Sequence, residues 1–453
     1  MSKKYMWFGG YVAKQSSIRT LSAGSIGNFG EIYDFAVFGF SVPILSNHFF
    51  PGSDRAAALL STFAVYAVAF FARPLGGLMF GVMADRLGRV KVMATTVWLM
   101  ALGTAVIGLL PTYANIGIAA PVLLVLCRIA QGLALGGETT GTTSFILESA
   151  PDDRRGGWIG LTLIFSHLPN ALVAGLLIGL QVAAGATAYA DWVWRVPFLA
   201  GGLIGIVGFW LRRNLDEPEE YKQATRRKDA KHPLRSALRE GGLRGMLNVA
   251  MIQPVQTVGS YLLLGFMYTF LVRVAKLDPT SALLTNGAAI VVLSFMIPLG
   301  GMLSDRFGRK RILTVGAAWI AFAAYPGVHL AASGTVTGAL LGQLLLVVGV
   351  GFYGGACFVA APEFFPTSFR ATGHAISYQL SVAVFGGTTP FIGTLLVQLT
   401  GSPLAPAYYV AFVAVACLIL TQFVPETKGV RLRTSASAWS GEPGTSSSAR
   451  ELR

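Results

Sequence analysis

The sequence predicts an all-α membrane protein: twelve transmembrane helices in two pseudo-symmetric six-helix bundles. Three observations carry that prediction. Hydrophobic residues make up 53 % of the 453-residue chain and charged residues only 12 %, where a soluble domain carries about 25 %. Twelve stretches have the length, about 20 mostly apolar residues, that a helix needs to cross a bilayer. One polar loop is written twice, as Gly81-x-x-x-Asp85-Arg86-x-Gly88-Arg89 and as Gly301-x-x-x-Asp305-Arg306-x-Gly308-Arg309, 220 residues apart. A second element, Glu148-x-x-Pro151-x-x-x-Arg155, returns as Glu363-x-x-Pro366-x-x-x-Arg370 at an offset of 215. Both elements occur in the same order in both halves. That is the signature of a duplicated bundle, and duplicated membrane bundles move solutes.

Residues 1–21 lack an apolar run with a cleavage site and read as a retained cytoplasmic tail. The first bundle, 22–212, holds segments 22–46, 57–83, 92–111, 118–148, 157–183 and 194–212. Residues 213–244 are polar and form a cytoplasmic linker. The second bundle, 245–424, holds 245–272, 281–303, 311–331, 334–361, 371–399 and 404–424. Residues 425–453 are rich in Ser, Gly and Arg and are expected to be flexible. The 54 glycines suit helices whose backbones approach closely.

Charge gives the orientation. Of the 35 Lys and Arg residues, 29 fall on the side of the N-terminus and four on the other. Positive loops stay inside, so both termini are expected in the cytoplasm, with the protein multi-pass in a bacterial inner membrane. The net charge of +14 is sorted by loop and not gathered on one soluble face, so nucleic acid is not an expected partner. The expected partners are lipid, a small solute and protons, and the chain is expected to act as a monomer. Cys127, Cys357 and Cys417 lie in apolar segments and make neither a disulfide framework nor a metal spacing. There is no Gly-Lys dipeptide and hence no phosphate-binding Walker loop. No catalytic residues, metal or cofactor are expected, and uphill work must draw on an ion gradient.

Five ionisable residues fall inside the first six segments: Glu31, Asp34, Arg73, Arg128 and Glu138. Each costs about 2.5–3.5 kcal/mol at a helix centre on insertion scales, and such residues mark pathways or relays. Asn28, Glu31 and Asp34 form one polar stripe. At about 100° per residue, Arg128, Gln131, Glu138 and Thr142 also share one face. The five charges are expected to line a common aqueous chamber, where one proton would neutralise the single negative excess. Fixed ion pairs are the alternative. The second half offers neutral groups: Gln253, Gln256, Tyr261, Asn286, Gln343, Tyr378 and Gln379. Of these, Gln253, Gln256, Tyr261, Tyr378 and Gln379 are the candidates for orienting a substrate, with interhelical hydrogen bonds as the alternative. In the repeated loops, charges such as Asp85, Arg89, Glu148 and Arg155, with their repeats Asp305, Arg309, Glu363 and Arg370, can pair across the halves when the chamber opens outward.

Finer strings carry a family likeness. They are Gly27-Asn28-Phe-Gly-Glu31-Ile-Tyr33-Asp34-Phe, Phe49-Phe-Pro51, Arg73-Pro74-Leu-Gly76-Gly77, Gln131-Gly132-x-x-x-Gly136-Gly137-Glu138, Glu363-Phe-Phe-Pro366-Thr-x-x-Arg370 and Pro406-Ala-Tyr-Tyr409. With the repeated loops, they resemble the metabolite:proton symporter branch of the major facilitator superfamily over residues 20–427. The resemblance implies alternating access and import, with protons, of a small carboxylate-bearing solute: an organic acid such as citrate or α-ketoglutarate, or proline and betaine. It also implies that Asp85 and Arg89 stabilise the outward-open state. Asp34, Glu31 or Glu138 is the expected proton carrier, and Arg128 or Arg73 is expected to meet a substrate carboxylate. A proton-coupled exporter and a transport-derived sensor are the competing readings.

Overall fold

The computed structural model describes residues 29–30, 32–42, 44–51, 55–164, 168–217, 238, 242–430 and 432. Among them the chain is helical and contains no strand. We number the helices α1 (described over 29–30, 32–42 and 44–49), α2 (Arg55–Leu87), α3 (Arg89–Leu109), α4 (Ala119–Ser149), α5 (Arg155–Ile164 and Leu168–Ala184) and α6 (Arg195–Arg213) in the first half. The second half holds α7 (Gly242–Tyr261, continuing through a π turn at Leu262–Phe266 to Met267–Arg273), α8 (Pro279–Phe307), α9 (Arg309–Ala331), α10 (Val336–Glu363), α11 (Arg370–Ser381, a π turn at Val382–Gly386, then Thr389–Thr400) and α12 (Ala405–Thr421). Eight helical spans among the described residues are long and apolar enough to cross a bilayer, and Ile32–Val42, Gly175–Ala184 and Ala405–Thr421 are shorter apolar helices.

Small residues set the helix spacing. A Cβ on Gly76 or Gly136 would lie 2.0 Å from a carbonyl oxygen of the facing helix, so α2 and α4 touch backbone to backbone. In the second half a Cβ on Gly355 would lie 2.2 Å from Ile297 O, so α8 and α10 touch the same way. The long apolar runs satisfy their own backbone polar groups, as a lipid solvent requires.

Packing between the halves is one-sided. At the end carrying the repeated loops, one buried core joins Met93, Phe145 and Ile159 of the first half to Leu293, Tyr353 and Phe365 of the second. Toward the far end, Phe38, Leu45, Phe49, Trp194 and Phe198 form a core made of first-half residues alone. Among the described residues, the apolar core shared by the halves therefore takes its first-half members from the loop-bearing end.

Candidate functional site

Asp34, on α1, is 2 % exposed. Its Oδ2 accepts from Arg128 Nη1 at 3.2 Å, and its Oδ1 accepts from Gln131 Nε2 at 2.6 Å and from Thr104 Oγ1 at 2.5 Å. Arg128 Nη1 also donates to Gln131 Oε1 at 2.9 Å. The Arg128 guanidinium carbon lies 4.3 Å from the Phe38 ring centroid and 5.1 Å from that of Phe35. Three helices thus converge on one carboxylate. Removing one partner of such a buried pair costs about 3–5 kcal/mol, because the other charge is left uncompensated.

Glu138 does not join this group. It shares a helix face with Arg128, but ten residues at 1.5 Å each put it about 15 Å further along α4. Its Oε1 sits 2.6 Å from Arg212 Nη2, and its Oε2 accepts from Arg212 Nη1 and from Thr96 Oγ1, both at 2.8 Å. Thr142 Oγ1 donates to Glu138 Oε1 at 3.1 Å, and Arg212 Nη1 donates to Met93 O at 3.0 Å. The expected single chamber is therefore two separate stations. Arg212, the last residue of the sixth apolar segment and not singled out from the sequence, is fully buried and turns back into the bundle. Asn28 and Glu31 lie outside the described residues.

On α2, Arg73, Gly77, Gly81 and Asp85 recur every four residues, and the last three face α11. A Cβ on Gly77 would meet Gln379 Cγ at 2.9 Å, and one on Gly81 would meet Thr372 Cα at 3.1 Å. Arg73 stands one turn above that seam, half-buried, with its guanidinium carbon 5.4 Å from the Phe35 centroid and 5.5 Å from that of Phe70. The Phe35 ring therefore lies against both Arg73 and Arg128. Three of the neutral candidates face packed helices and not open space. Gln379 Nε2 donates across the halves to Gly136 O at 2.9 Å. Gln253 Oε1 accepts from Cys357 Sγ at 3.3 Å, and Gln256 Nε2 donates to Ser260 Oγ at 2.9 Å while its Oε1 turns toward Gly354. All three are buried. Tyr261 and Tyr378 are half-buried, Tyr261 against Gly386 and Tyr378 against Phe358 and His374.

The repeated loops meet across the halves. Glu148 accepts from Arg89 of its own half (Nη2 to Oε1 at 3.1 Å, Nε to Oε2 at 3.3 Å) and from Arg370 Nη1 of the other at 2.6 Å. Arg89 also pairs with Asp85 and donates to Thr367 O at 3.0 Å. Asp85 accepts from the amides of Ala371 and Thr372 at 3.2 and 2.8 Å. These are otherwise unsatisfied donors at the start of α11, where a negative charge is favoured. The second half mirrors this. Glu363 accepts from Arg309 (Nη2 to Oε1 at 3.2 Å, Nε to Oε2 at 3.3 Å) and pairs with Arg155 at 3.6 Å. Asp305 accepts from Arg309 Nη1 at 2.7 Å and from the amides of Gly156 and Gly157, at the start of α5, at 2.9 and 2.8 Å. Arg86 and Arg306 are exposed beside this closure.

Two glutamates absent from the sequence reading complete it. Glu217, just past α6, accepts from the amides of Arg89 and Val90, both at 2.9 Å. Glu426, just past α12, accepts from those of Arg309 and Lys310 at 2.9 and 3.1 Å. Burial pushes the Glu217 carboxyl above its ordinary range, against the pull of the two amides. Gly88 and Gly308 have φ of 112° and 104° with ψ of 150°, a conformation essentially reserved for glycine. The segment after Pro425, expected to be flexible, lies against the gate over 425–430. Thr427 Oγ1 donates to Glu363 Oε2 at 2.5 Å, Lys428 Nζ to Arg306 O at 2.6 Å, and Val430 O accepts from Arg155 Nη1 at 2.8 Å. The only signal in the sequence was an acid beside a proline after the sixth and twelfth apolar runs, Glu217-Pro218 and Pro425-Glu426.

Two helical halves tied at one end by ion pairs, with a buried acid–arginine pair inside the first, have the architecture of a membrane transporter. The chain belongs to the Major Facilitator Superfamily, whose sequence model matches residues 24–380. It is 33 % identical to a proline/betaine transporter of Escherichia coli (strain K12), over 93 % of this chain and 86 % of that protein. It is also 33 % identical to a citrate-proton symporter of Klebsiella pneumoniae, over 90 % of this chain and 92 % of that protein. Among solved structures, the proton:xylose symporter XylE bound to 6-bromo-6-deoxy-D-glucose superposes with a TM-score of 0.75, at 21 % identity, over 94 % of this chain and 99 % of that one.

Proposed function

We propose that the protein is a proton-coupled symporter that imports a small carboxylate-bearing metabolite by alternating access. One observation carries the reading. The Asp34–Arg128 pair is sealed inside the first half, and Arg128 shares the Phe35 ring with Arg73, which stands above the seam between the halves. A solute carboxylate drawn to Arg73, whose guanidinium can grip it bidentately, shifts Phe35. Phe35 is the neighbour of Asp34 on α1, so the shift is felt at the proton-binding pair. With the proton and solute both bound, the ion pairs and amide contacts at the loops exchange, and the chamber opens to the other side. The asymmetric distribution of Lys and Arg supports a cytoplasmic loop-bearing end, both termini inside, and an inner-membrane location. The pathway lies between the two halves of one chain, which supports a monomer as the working unit.

The charge at the seam favours a solute with one carboxylate. Among the described residues, Arg73 can match one such group, and the second half presents the neutral Tyr261 and Tyr378. Further carboxylates would need further cations, because an unpaired buried charge is costly. The Phe35 and Phe70 rings offer faces for a cationic centre. A zwitterion of the proline or betaine kind fits this arrangement better than a tricarboxylate. The test is uptake into proteoliposomes driven by an inward proton gradient, with competing solutes. Inhibition by proline or glycine betaine and indifference to citrate supports the zwitterion. The reverse order returns the substrate to the di- and tricarboxylates. Uptake that is unmoved by the gradient removes proton coupling altogether.

A further inference from the structure

The His374 side chain is buried, at 1 % exposure, and neither nitrogen of its ring has a hydrogen-bond partner. A buried polar group without a partner is costly, so packing alone does not account for a histidine here. It lies on α11 four residues after Arg370 and four before Tyr378, and residues at that spacing share a helix face. One turn toward the loops, Arg370 donates to Glu148 of the first half at 2.6 Å. One turn the other way, the Tyr378 centroid is 5.7 Å from that of His374 and 6.3 Å from that of Phe358 on α10. His374 thus sits between the half-buried Tyr378 and the ion pairs that tie the halves.

This stretch of α11 is covered by the first half. Asp85 of α2 accepts from the Ala371 and Thr372 amides, and a Cβ on Gly81 would lie 3.2 Å from the Ala375 Cβ. Gln379 Nε2 reaches Gly136 O of α4. Separating the halves at the loops breaks these contacts and uncovers His374. The charges at this level are already engaged. Arg370 and Arg89 both donate to Glu148 of α4, and Asp85 is held by Arg89 and the α11 amides. Further along α4, Glu138 is held by Arg212. On the second-half side, α10 carries no charge before Glu363 and α7 none between Arg244 and Arg273. The titratable groups there turn to α7: Tyr353 Oη donates to Ile252 O and Cys357 Sγ to Gln253 Oε1. Among the described residues, then, each acid near His374 already has an arginine.

We propose that His374 makes closure of the loops depend on pH at the loop-bearing end, so that acid there holds that end open. The inference rests on the alternating-access reading, in which the halves part at the loops. A neutral imidazole can be buried again when the halves come together. An imidazolium would be buried as a cation one turn from Arg370, with no acceptor beside it. Histidine exposed to water titrates at about pH 6.5, so an uncovered His374 gains its charge as the pH falls through that value. The closed state binds the neutral form and the open state binds either, so closure is favoured above about pH 6.5 and opposed below it. Each import cycle delivers a proton to the side on which the loops open. Transport that acidifies that side therefore slows itself.

The test reads the loops directly and needs no solute. Spin labels are placed on Lys91→Cys and Arg311→Cys, two exposed positions at the loop-bearing ends of α3 and α9, in a background lacking Cys127, Cys357 and Cys417. Electron-resonance distances in lipid nanodiscs then give the ratio of open to closed loops. That ratio is expected to rise about tenfold from about pH 7.5 to about pH 5.5, as follows from a group of pKa about 6.5 that only the open state can charge. His374→Phe and His374→Gln are each expected to abolish the rise, and Asp34→Asn to keep it. A rise that survives in both His374 variants overturns the proposal and gives the effect to another group. So does a rise lost in Asp34→Asn alone. Distances that ignore pH in the parent but widen in Asp85→Asn overturn this inference and leave alternating access standing. Distances that move under neither change overturn both.

Discussion

The two halves share one backbone plan and fill it with different chemistry. Where the first half has Arg128, the offset of 215 places Gln343 in the second. Gln343 Oε1 accepts from Asn286 Nδ2 at 2.9 Å, and Gln343 Nε2 donates to Ala339 O at 3.0 Å. Asn286 Nδ2 also reaches Leu263 O at 3.0 Å, a carbonyl of the π turn in α7. An amide pair thus joins helices where the first half uses an ion pair. Both pairs hold helices together, and only the ion pair contains an acid that can take up a proton. At the loops the contrast disappears: Asp85, Arg89 and Glu148 are matched by Asp305, Arg309 and Glu363. The ion pairs at the loops use charge in both halves, while the proposed coupling uses it in one.

The sharpest way to break this division is to neutralise both interiors. Asp34→Asn is expected to lower gradient-driven accumulation about a hundredfold or more, with exchange retained. Gln343→Leu loses one hydrogen bond at each end of the amide and should cost about 1–3 kcal/mol of stability, because Asn286 is left short of a partner. That loss appears as a lower unfolding temperature in detergent, with accumulation retained in the molecules that remain folded. A coupling defect in Gln343→Leu combined with normal accumulation in Asp34→Asn would reverse the assignment of roles.

The gate should show a smaller asymmetry. Asp85 is fully buried against α11 and also accepts from the Thr372 hydroxyl at 2.5 Å, whereas the Asp305 side chain is 10 % exposed. Hydrogen bonds to a charged group contribute about 1.5–3 kcal/mol each. Asp85→Asn is therefore expected to shift the closed-to-open balance at the loops by about tenfold or more, at 1.4 kcal/mol per factor of ten. Asp305→Asn should shift it less. Labelling rates of a single cysteine placed behind the loops, in a background lacking Cys127, Cys357 and Cys417, measure the balance. Equal rates in the two variants would show that water at Asp305 weakens nothing.

The helices and the pairing of the repeated loops were legible in the sequence, because both are written in spacing. Apolar length places the helix ends that lie among the described residues within a few residues, and the paired offsets place Glu148 near Arg370 only once two halves are assumed to face each other. The interior was legible in angle and not in depth. Arg128, Gln131, Glu138 and Thr142 do share a face of α4, but periodicity carries no axial distance to a partner, so two stations looked like one. Arg212 was not singled out, because a terminal arginine beside a basic linker reads as one more charge at the membrane edge. Its long side chain instead reaches back to a buried acid that would otherwise be uncompensated. Gln253 and Gln256 looked like substrate ligands because a polar residue in an apolar run is conspicuous, whether it meets a solute or a neighbouring helix. The contacts of Glu217 and Glu426 are made to backbone amides, which no side-chain pattern reports.

Those two latches give the finest comparison. Gly88 and Gly308 adopt the same glycine-only conformation, so alanine at either costs about 1–3 kcal/mol in backbone strain. They differ in what an added methyl meets: Glu217 Oε1 at 2.3 Å beside Gly88, and Glu426 Oε2 at 2.6 Å beside Gly308. Glu426 is exposed and can swing away, while Glu217 is half-buried and holds two amides of α3. Gly88→Ala is therefore expected to lower the unfolding temperature more than Gly308→Ala. It should also raise hydrogen exchange at the Arg89 and Val90 amides, which lose their acceptor when the carboxylate is pushed aside. Exchange at Arg309 and Lys310 should change less in Gly308→Ala, because Glu426 can rotate and keep one of its bonds. Identical losses at both loops would mean that backbone strain alone sets the cost and that neither glutamate holds its helix in place.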